Sequence, residues 1–504
     1  MKIAMTCSSG LAMTGQCHCE WNTSIMTPVI FMKRTIACLS MLAAVAAMLA
    51  GCAHFEARPL APQRTAADFE ARTLDAPELR TFVEKNLKPP ITQWPPQEWD
   101  LPVLTLVAIY YHPSLDVARA QWGVAKAGRL TAGSRPNPSI SLGPQYTSNA
   151  ESGVSPWVAP VAVDIPFETA GKRGLRVAVA EHLSESARLN LASQAWQVRS
   201  NLRTALLDHA VAHRRVALLQ DVCDAQQHLL DLLEGRLAAG SIAAPEVTSA
   251  RVAVLKARTD LIEAKRQAAE GRSRVAEALG LPLRALDGVA LTFDLSLAPE
   301  AGRDLESAEV RAQALHRRAD LLAALAEYAA SQSALQLEIA KQYPDVHLGP
   351  GYEYDQGAHK WGLSVGAELP LLNRNQGPIA EAEARRTEAA ARFLSLQARV
   401  IAEIDRAVAG LAAAGEQLGQ IDTLLQTQRQ QARSIEGAVK AGSADPFELG
   451  SAQVEVRLTE LAHLDALVKA LQVLGQLEDA VQVPFDALAS VEQDGRTLVF
   501  RPHE

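Results

Sequence analysis

Pro138-Ser-Ile-Ser-Leu142-Gly143-Pro144-Gln-Tyr146 and Pro344-Asp-Val-His-Leu348-Gly349-Pro350-Gly-Tyr352 are two versions of one segment, with five identities at a constant offset of 206. Further along, Ala239-Gly240-Ser241 and Ser249-Ala250-Arg-Val252 return as Ala441-Gly442-Ser443 and Ser451-Ala452-Gln-Val454, now 202 residues later. Between these landmarks Ile165-Pro166-Phe167 corresponds to Leu369-Pro370-Leu371. The features keep one order, so the chain reads as two copies of a unit of about 200 residues.

Within each unit the order is helix, strand, strand, long helix, glycine turn, helix. The strands carry a period of two. In the second copy Trp361, Leu363, Val365, Ala367, Leu369 and Leu371 alternate with Gly362, Ser364, Gly366, Glu368 and Pro370. Its partner sets Val346, Leu348, Tyr352 and Tyr354 against Asp345, His347, Gly351, Glu353 and Asp355. In the first copy Trp157, Ala159, Val161, Val163, Ile165 and Phe167 share one face, and Ile140, Leu142 and Tyr146 share that of the partner. Strands are therefore expected at about 139–148, 157–167, 345–355 and 360–371.

One apolar face, one polar face and aromatics near the ends suit a strand between lipid and water. A single hairpin of this kind would read as a soluble one packed on one face. Four such strands of roughly ten residues each match a membrane barrel instead. Four strands close no useful lumen, and hydrocarbon tolerates no open edge. The chain must then assemble with copies of itself, and three copies supply twelve strands.

No proline interrupts the stretch from about Gly174 to Ala238, or that from about Ile379 to Lys440. At 1.5 Å per residue each would extend roughly 90–100 Å, a rod suited to a tunnel and not to a compact domain. Shorter helices are expected at 101–135 and 305–341, before the strand pairs, and at 245–279 and 446–481, after the turns. Val454, Leu458, Leu461, Leu464, Val468, Leu471 and Leu474 step by three or four, as a packed helix requires. Leu219, Val222, Leu229, Leu233 and Leu237 keep similar steps on the first long helix, with Gln226 filling one slot. A soluble coiled coil shares this spacing; the intervening strands argue against it.

The composition agrees. Aromatics are only 5% of the 504 residues, and charges are spread through Ala- and Leu-rich stretches that favour extended helices. A net charge of -8, with no long run of Lys or Arg, leaves no footprint for nucleic acid. No segment of the body reaches about 20 uninterrupted apolar residues, so no transmembrane helix is expected there.

Lys33-Arg34 followed by the apolar run Ile36–Ala50 has signal-peptide form, and Leu49-Ala50-Gly51-Cys52 resembles the bacterial lipobox, whose Cys receives a diacylglyceryl group. The alternative is an ordinary secretory signal with a chance Cys. Met32-Lys33-Arg34 looks like the true start, which makes residues 1–31, with Cys17-His18-Cys19, a mis-assigned leader. Cys223 is then the single unmodified cysteine of the mature chain, and no internal disulfide is possible. The expected organisation is a signal peptide at 32–51, a lipid-anchored strap at 52–100, repeats at 101–300 and 301–486, and a tail at 487–504.

Lipobox, duplicated units and Ala-Gly-Ser turns together resemble the TolC-like outer-membrane efflux factor family over about residues 100–485. The resemblance implies a mainly α fold with a transmembrane β part: a homotrimer whose 12-stranded β-barrel continues into a 12-helix periplasmic α-barrel. It implies an exit duct for a tripartite pump, lodged in outer-membrane lipid and joined to a periplasmic adaptor (membrane fusion) protein. The energy would come from a separate inner-membrane pump of the resistance–nodulation–division (RND) class. Asp164-Ile-Pro-Phe-Glu168-Thr169-Ala170-Gly171-Lys172-Arg173-Gly174 is similar to the strand–helix junction of the CzcC-type heavy-metal branch, which points to export of metal cations. Leu369-Pro-Leu-Leu-Asn-Arg-Asn-Gln-Gly377 is similar to the second junction. Drug or organic-compound efflux and type I secretion are the alternatives within the class, and a structural coiled-coil envelope lipoprotein is the alternative outside it.

Gly240 and Gly442 are placed to end the long helices, and Pro245 and Pro446 to open the returning ones. By resemblance these tips meet the adaptor, which nominates Arg236, Leu237, Gly240, Lys440 and Gly442. Family channels narrow at this end through carboxylates, and Asp445 is the candidate for such a gate, with Glu246 and Glu448 nearby. An acidic residue at a helix start also suits the helix dipole. No catalytic motif is present, so no enzyme and no cofactor is expected. His209 and His213 have i, i+4 spacing, but with no third ligand in view they read, with His228, as a solvated helix face. His347 and His359 receive an equally plain reading, on a strand and in a hairpin turn.

Overall fold

The computed structural model describes residues 54–87, 93–296 and 307–484. The signal peptide, Cys52 and the tail fall outside them. Residues up to Ala66 form one compact unit and those from Ala67 a second. Residues 54–61 are irregular and lead into helix α1 (Pro62–Glu70), which runs across that boundary.

The second unit continues with α2 (Pro77–Asn86), α3 (Leu101–Tyr111) and α4 (Pro113–Gly133). Strands β1 (Ser139–Leu142), β2 (Gln145–Tyr146) and β3 (Trp157–Phe167) follow. Then come α5 (Lys172–Ala238), α6 (Ala244–Leu279) and a 3-10 turn at Leu283–Leu286. The second repeat gives α7 (Ser307–Arg317), α8 (Ala319–Ala340), β4 (Val346–Asp355), β5 (Ala358–Ala367), α9 (Gln376–Lys440) and α10 (Pro446–Val481). At 67 and 65 residues, α5 and α9 are each on the order of 100 Å long.

The duplication extends into the core. One buried cluster holds Leu115, Val198, Leu202 and Val275. A second holds their counterparts Leu321, Val400, Ile404 and Leu477, each 202 or 206 residues later. Each cluster closes one repeat: α5 packs on α6 and α4, and α9 on α10 and α8. The repeats meet because α5 also packs on α8 and α10.

Neither 101–135 nor 305–341 is one helix, as the sequence reading had it. The first breaks at His112 because Pro113 has no N–H and disfavours α geometry in the residue before it. The second breaks at Arg318, which adopts an extended backbone (φ −61°, ψ 123°) without any proline. Its buried guanidinium donates to Ala480 O at 2.7 Å and Asp320 Oδ2 at 2.7 Å, while Gln482 Oε1 accepts from Ala319 N at 2.9 Å. Residues 112 and 318 are 206 apart, so the break belongs to the repeat. No single helix among the described residues is long and apolar enough to cross a membrane.

The strands form one antiparallel sheet in the order β1–β3–β4–β5, with β2 also on β3. The hairpins of the two repeats thus join through β3 and β4, while β1 and β5 have one edge each without a strand partner among the described residues. The expected strand 139–148 is split at Gly143-Pro144, whereas β4 runs unbroken through the equivalent Gly349-Pro350. The last strand runs 358–367 instead of 360–371: Ala367 pairs with Val346, where β4 begins, and Leu371 N turns back onto Leu369 O at 2.8 Å.

Candidate functional site

Two regions carry the chemistry: the helical tips and the two faces of the sheet.

At the first tip α5 ends with Gly240 at φ +71°, Gly240 N donating to Leu237 O and Ser241 N to Arg236 O, both at 2.9 Å. The second tip repeats this with Gly442 at φ +74°, Ser443 N reaching Ala438 O at 2.9 Å. Both are the paired bonds by which a left-handed glycine closes a helix. The returning helices differ. Asp445 caps α10, accepting from Phe447 N at 2.8 Å, whereas Ala243 stands at the equivalent place before α6 and has no side-chain acceptor.

Asp445 also accepts from Arg236 Nη2, an ion pair from the end of α5 to the start of α10. The Arg236 guanidinium lies 4.9 Å from the centroid of the Phe447 ring. Phe447 in turn packs on the tip cluster of Leu230, Leu233, Val247 and Val254, beside Leu237. The two tips are thus fused by side chains that the repeat does not duplicate, because Ala438 occupies the position equivalent to Arg236. The Phe447 N–H first, and Arg236 second, hold the Asp445 carboxyl below its ordinary range. Of the residues nominated for adaptor contact, Arg236 and Leu237 are half-buried in this tip, while Gly240, Lys440 and Gly442 are exposed. Lys440 pairs along its own helix with Glu436 at 2.6 Å. Phe447 escaped the sequence reading, although an aromatic two residues after a helix-capping Asp was there to be noticed.

The sheet has two unlike faces. Cross-strand partners place Val161 beside Leu142 and Tyr352, Leu348 beside Ile165 and Val365, and Tyr352 beside Trp361. Trp361 is 82% exposed and Leu363 70%, so this apolar face lies bare in a single chain. On the other face stand Ser141, Asp164, His347, Glu353, Lys360 and Ser364, among Gly349, Gly351, Gly362 and Gly366. His347 Nδ1 lies 3.0 Å from Asp164 Oδ2 and 3.2 Å from Oδ1.

The junction Glu168–Gly174 is an anchor. Buried Lys172 donates to Tyr343 O at 2.7 Å and Asp345 Oδ1 at 2.8 Å, and Thr169 N reaches the same carboxylate oxygen at 2.9 Å. Arg176 forks onto Glu168, and Arg173 Nε donates to Gly133 O at 2.6 Å. At the second junction Asn375, in the left-handed region at φ +61°, donates to Glu338 O at 2.7 Å. These residues fix the angle between strand and helix.

His209 is not solvated, contrary to the sequence reading. It is buried against α6, where Gly271 allows close approach: a Cβ there would lie 3.3 Å from His209 Cα. His213 stacks edge-on at 4.6 Å, and Lys265 and Arg272 line the same groove. Burial first, and the neighbouring His213 and Arg272 next, push the His209 pKa down to about 4. Among the described residues no three His, Cys, Asp or Glu side chains converge as a ligand set.

The outer membrane efflux protein family matches residues 107–281 and 310–481, one segment in each repeat. The cobalt-zinc-cadmium resistance protein CzcC of Cupriavidus metallidurans is 25% identical over 374 residues, 73% of this chain and 84% of that protein. The pyoverdine export outer membrane protein OpmQ of Pseudomonas aeruginosa is 35% identical over 135 residues, 27% of each chain. Among solved structures, the outer-membrane channel OprN superposes with a TM-score of 0.61 at 19% identity, over 76% of this chain and 90% of its own. The outer membrane protein VceC of Vibrio cholerae gives 0.61 at 18%, over 76% and 96%. The fold is theirs, and the chain belongs to the outer membrane efflux protein family, whose members are non-enzymatic efflux channels.

Proposed function

We propose that three copies of this chain close into one duct, lipid-anchored at Cys52, that carries heavy-metal cations out through the outer membrane. The observation that supports assembly is the sheet. It has a bare apolar face, a polar face and two edges that lack strand partners among the described residues, and a membrane accepts such a sheet only when closed. Joining β5 of one copy to β1 of the next closes it, with the apolar face toward lipid and Asp164 and His347 toward water. Repeats 101–300 and 301–486 then supply one helical hairpin each, two to a chain and six to a tunnel. The exposed Gly240, Lys440 and Gly442 meet a periplasmic adaptor, and Asp445 with Arg236 forms the gate. An inner-membrane pump of the RND class drives the flow.

Metal cations are favoured over organic cargo because the similarity to CzcC, a cobalt-zinc-cadmium resistance protein, runs through 73% of the chain, whereas that to OpmQ covers 27%. The junction segment adds nothing to this choice, since its bonds are architectural. The test is the full-length protein purified in detergent and placed in planar bilayers. Trimers and discrete single-channel currents are expected, and a monomer without conductance would refute the duct. A deletion strain that becomes sensitive to Zn²⁺, Co²⁺ or Cd²⁺, and not to siderophores or drugs, supports the cargo. Replacing Cys52 by Ser is expected to abolish palmitate incorporation.

A further inference from the structure

The polar face of the sheet holds one imidazole in a restrained orientation. A carboxylate near neutral pH only accepts hydrogen bonds, so the contacts of 3.0 and 3.2 Å from His347 Nδ1 to Asp164 place the proton on Nδ1. In the neutral ring Nε2 is then the nitrogen that carries the lone pair. This is the arrangement that outer-shell carboxylates give to metal-binding histidines, fixing the tautomer and raising the basicity of the ligating nitrogen.

The surroundings leave that nitrogen accessible. His347 lies opposite Gly366 on β5, with Gly349 two residues along β4, and neither has a side chain. A Cβ added at Gly366 would make ordinary contact with His347 Cβ at 3.7 Å, and as glycine it sets no side chain beside His347. The side chains of His347 and Asp164 are 46% and 48% exposed. A second His–Asp pair, His463 with Asp422, is built the other way round: its Nε2 is the engaged nitrogen, at 2.7 Å.

We infer that the Asp164–His347 pair is a transit site for borderline divalent cations such as Zn²⁺, with Nε2 of His347 the ligand and Asp164 the positioning carboxylate. The inference rests on the duct reading, which sets three copies of the pair around one lumen. Imidazole suits Zn²⁺, Cu²⁺ and Co²⁺ and discriminates against Mg²⁺, which prefers oxygen and water. Each pair offers one imidazole, with water completing the coordination, and such a site is open enough to release its ion, as a conducting path needs.

The experiment uses the full-length protein in planar bilayers, with Zn²⁺ as probe and Mg²⁺ at equal concentration as control. Zn²⁺ is expected to reduce the single-channel current of the wild type where Mg²⁺ does not. His347→Ala and His347→Gln are expected to remove the Zn²⁺-specific block. Asp164→Asn is expected to raise the half-blocking concentration roughly tenfold, the usual effect of an outer-shell loss. His463→Ala is expected to leave the block unchanged. Equal block in wild type and His347→Gln, equal block by Mg²⁺, or loss of block in His463→Ala alone overturns the site while leaving the duct standing. Absence of any current from the wild type overturns the duct, and the transit site with it.

Discussion

Gly475 of α10 lies directly beneath the guanidinium of Arg203 on α5, where a Cβ would come within 2.8 Å of Cζ. That space lets a buried arginine pair with buried Glu478 at 3.3 Å and donate to Leu471 O at 2.9 Å. Arg199 joins the same carboxylate at 3.0 Å, and Asp479 next to it accepts from Trp196 Nε1 at 3.0 Å and Ser200 Oγ at 2.6 Å. Repeat 1 is clamped to repeat 2 here.

Two effects of Gly475→Ala oppose each other. In an unobstructed helix the change gains about 1 kcal/mol of helix propensity. Here it displaces Arg203, and disrupting a buried pair costs on the order of 3 kcal/mol. A net loss of about 2 kcal/mol is expected, read as a lowered apparent melting temperature of the assembled protein at fixed concentration. Gly419→Ala on α9, with nothing near its added Cβ, is the control and is expected to raise it. Equal behaviour of the two would show that the clamp carries no stability.

At the tips, Asp445→Asn keeps a capping side chain and removes the charge, while Arg236→Ala removes the partner and spares the cap. If the ion pair holds the tips together, each raises the mean single-channel current and the double change adds nothing further. The carboxyl is depressed in the folded state, so its contribution is complete above its unfolded value of about 3.9 and fades only as pH falls through the lower folded value. The current is therefore expected to be insensitive to this pair between about pH 5 and 7, and to rise only below about pH 4. An Arg236→Ala channel with wild-type current at every pH would remove the gate assignment.

His209 has the opposite sign of acid dependence from a paired histidine. Its folded pKa of about 4 lies below the unfolded value, because burial disfavours the charged ring beside His213 and Arg272. The unfolded chain therefore takes up the proton first. Stability falls as pH drops from about 6.5 toward 4, by on the order of 3 kcal/mol, and is flat below. His209→Gln, which cannot titrate, is expected to flatten the melting profile in that window whatever it costs at neutral pH. An unchanged slope would mean that His209 titrates normally.

How far the sequence reaches is clear from particular residues. The paired Pro-x-x-x-Leu-Gly-Pro segments gave both hairpins, and Gly240 and Gly442 both tips, because turns and alternation are local properties. Pro113 announces the break in the helix before the first hairpin. Arg318 does not: its extended backbone is secured by Ala480 and Gln482, over 160 residues away, and no local propensity encodes that. The burial of His209 is invisible for the same reason, since it depends on a glycine 62 residues later. Arg236 and Asp445 were each readable as tip residues, but their pairing is long-range and unrepeated.

The junction supplies an asymmetric test. Lys172 is buried with its ammonium shared between Asp345 and Tyr343 O, whereas the Asp345 side chain is 36% exposed and also accepts from Thr169 N. Removing the acid strands a buried cation, at a cost on the order of 3 kcal/mol. Removing the cation leaves a carboxylate that keeps one N–H and reaches water, at a cost of about 1 kcal/mol. Asp345→Ala is therefore expected to lower the apparent melting temperature more than Lys172→Met. The double variant is expected to recover most of the difference, because it buries no unpaired charge. A symmetric loss in the two single variants would mean that Lys172 reaches water, and the junction would then owe its rigidity to Arg173, Arg176, Glu168 and the bonds of Thr169.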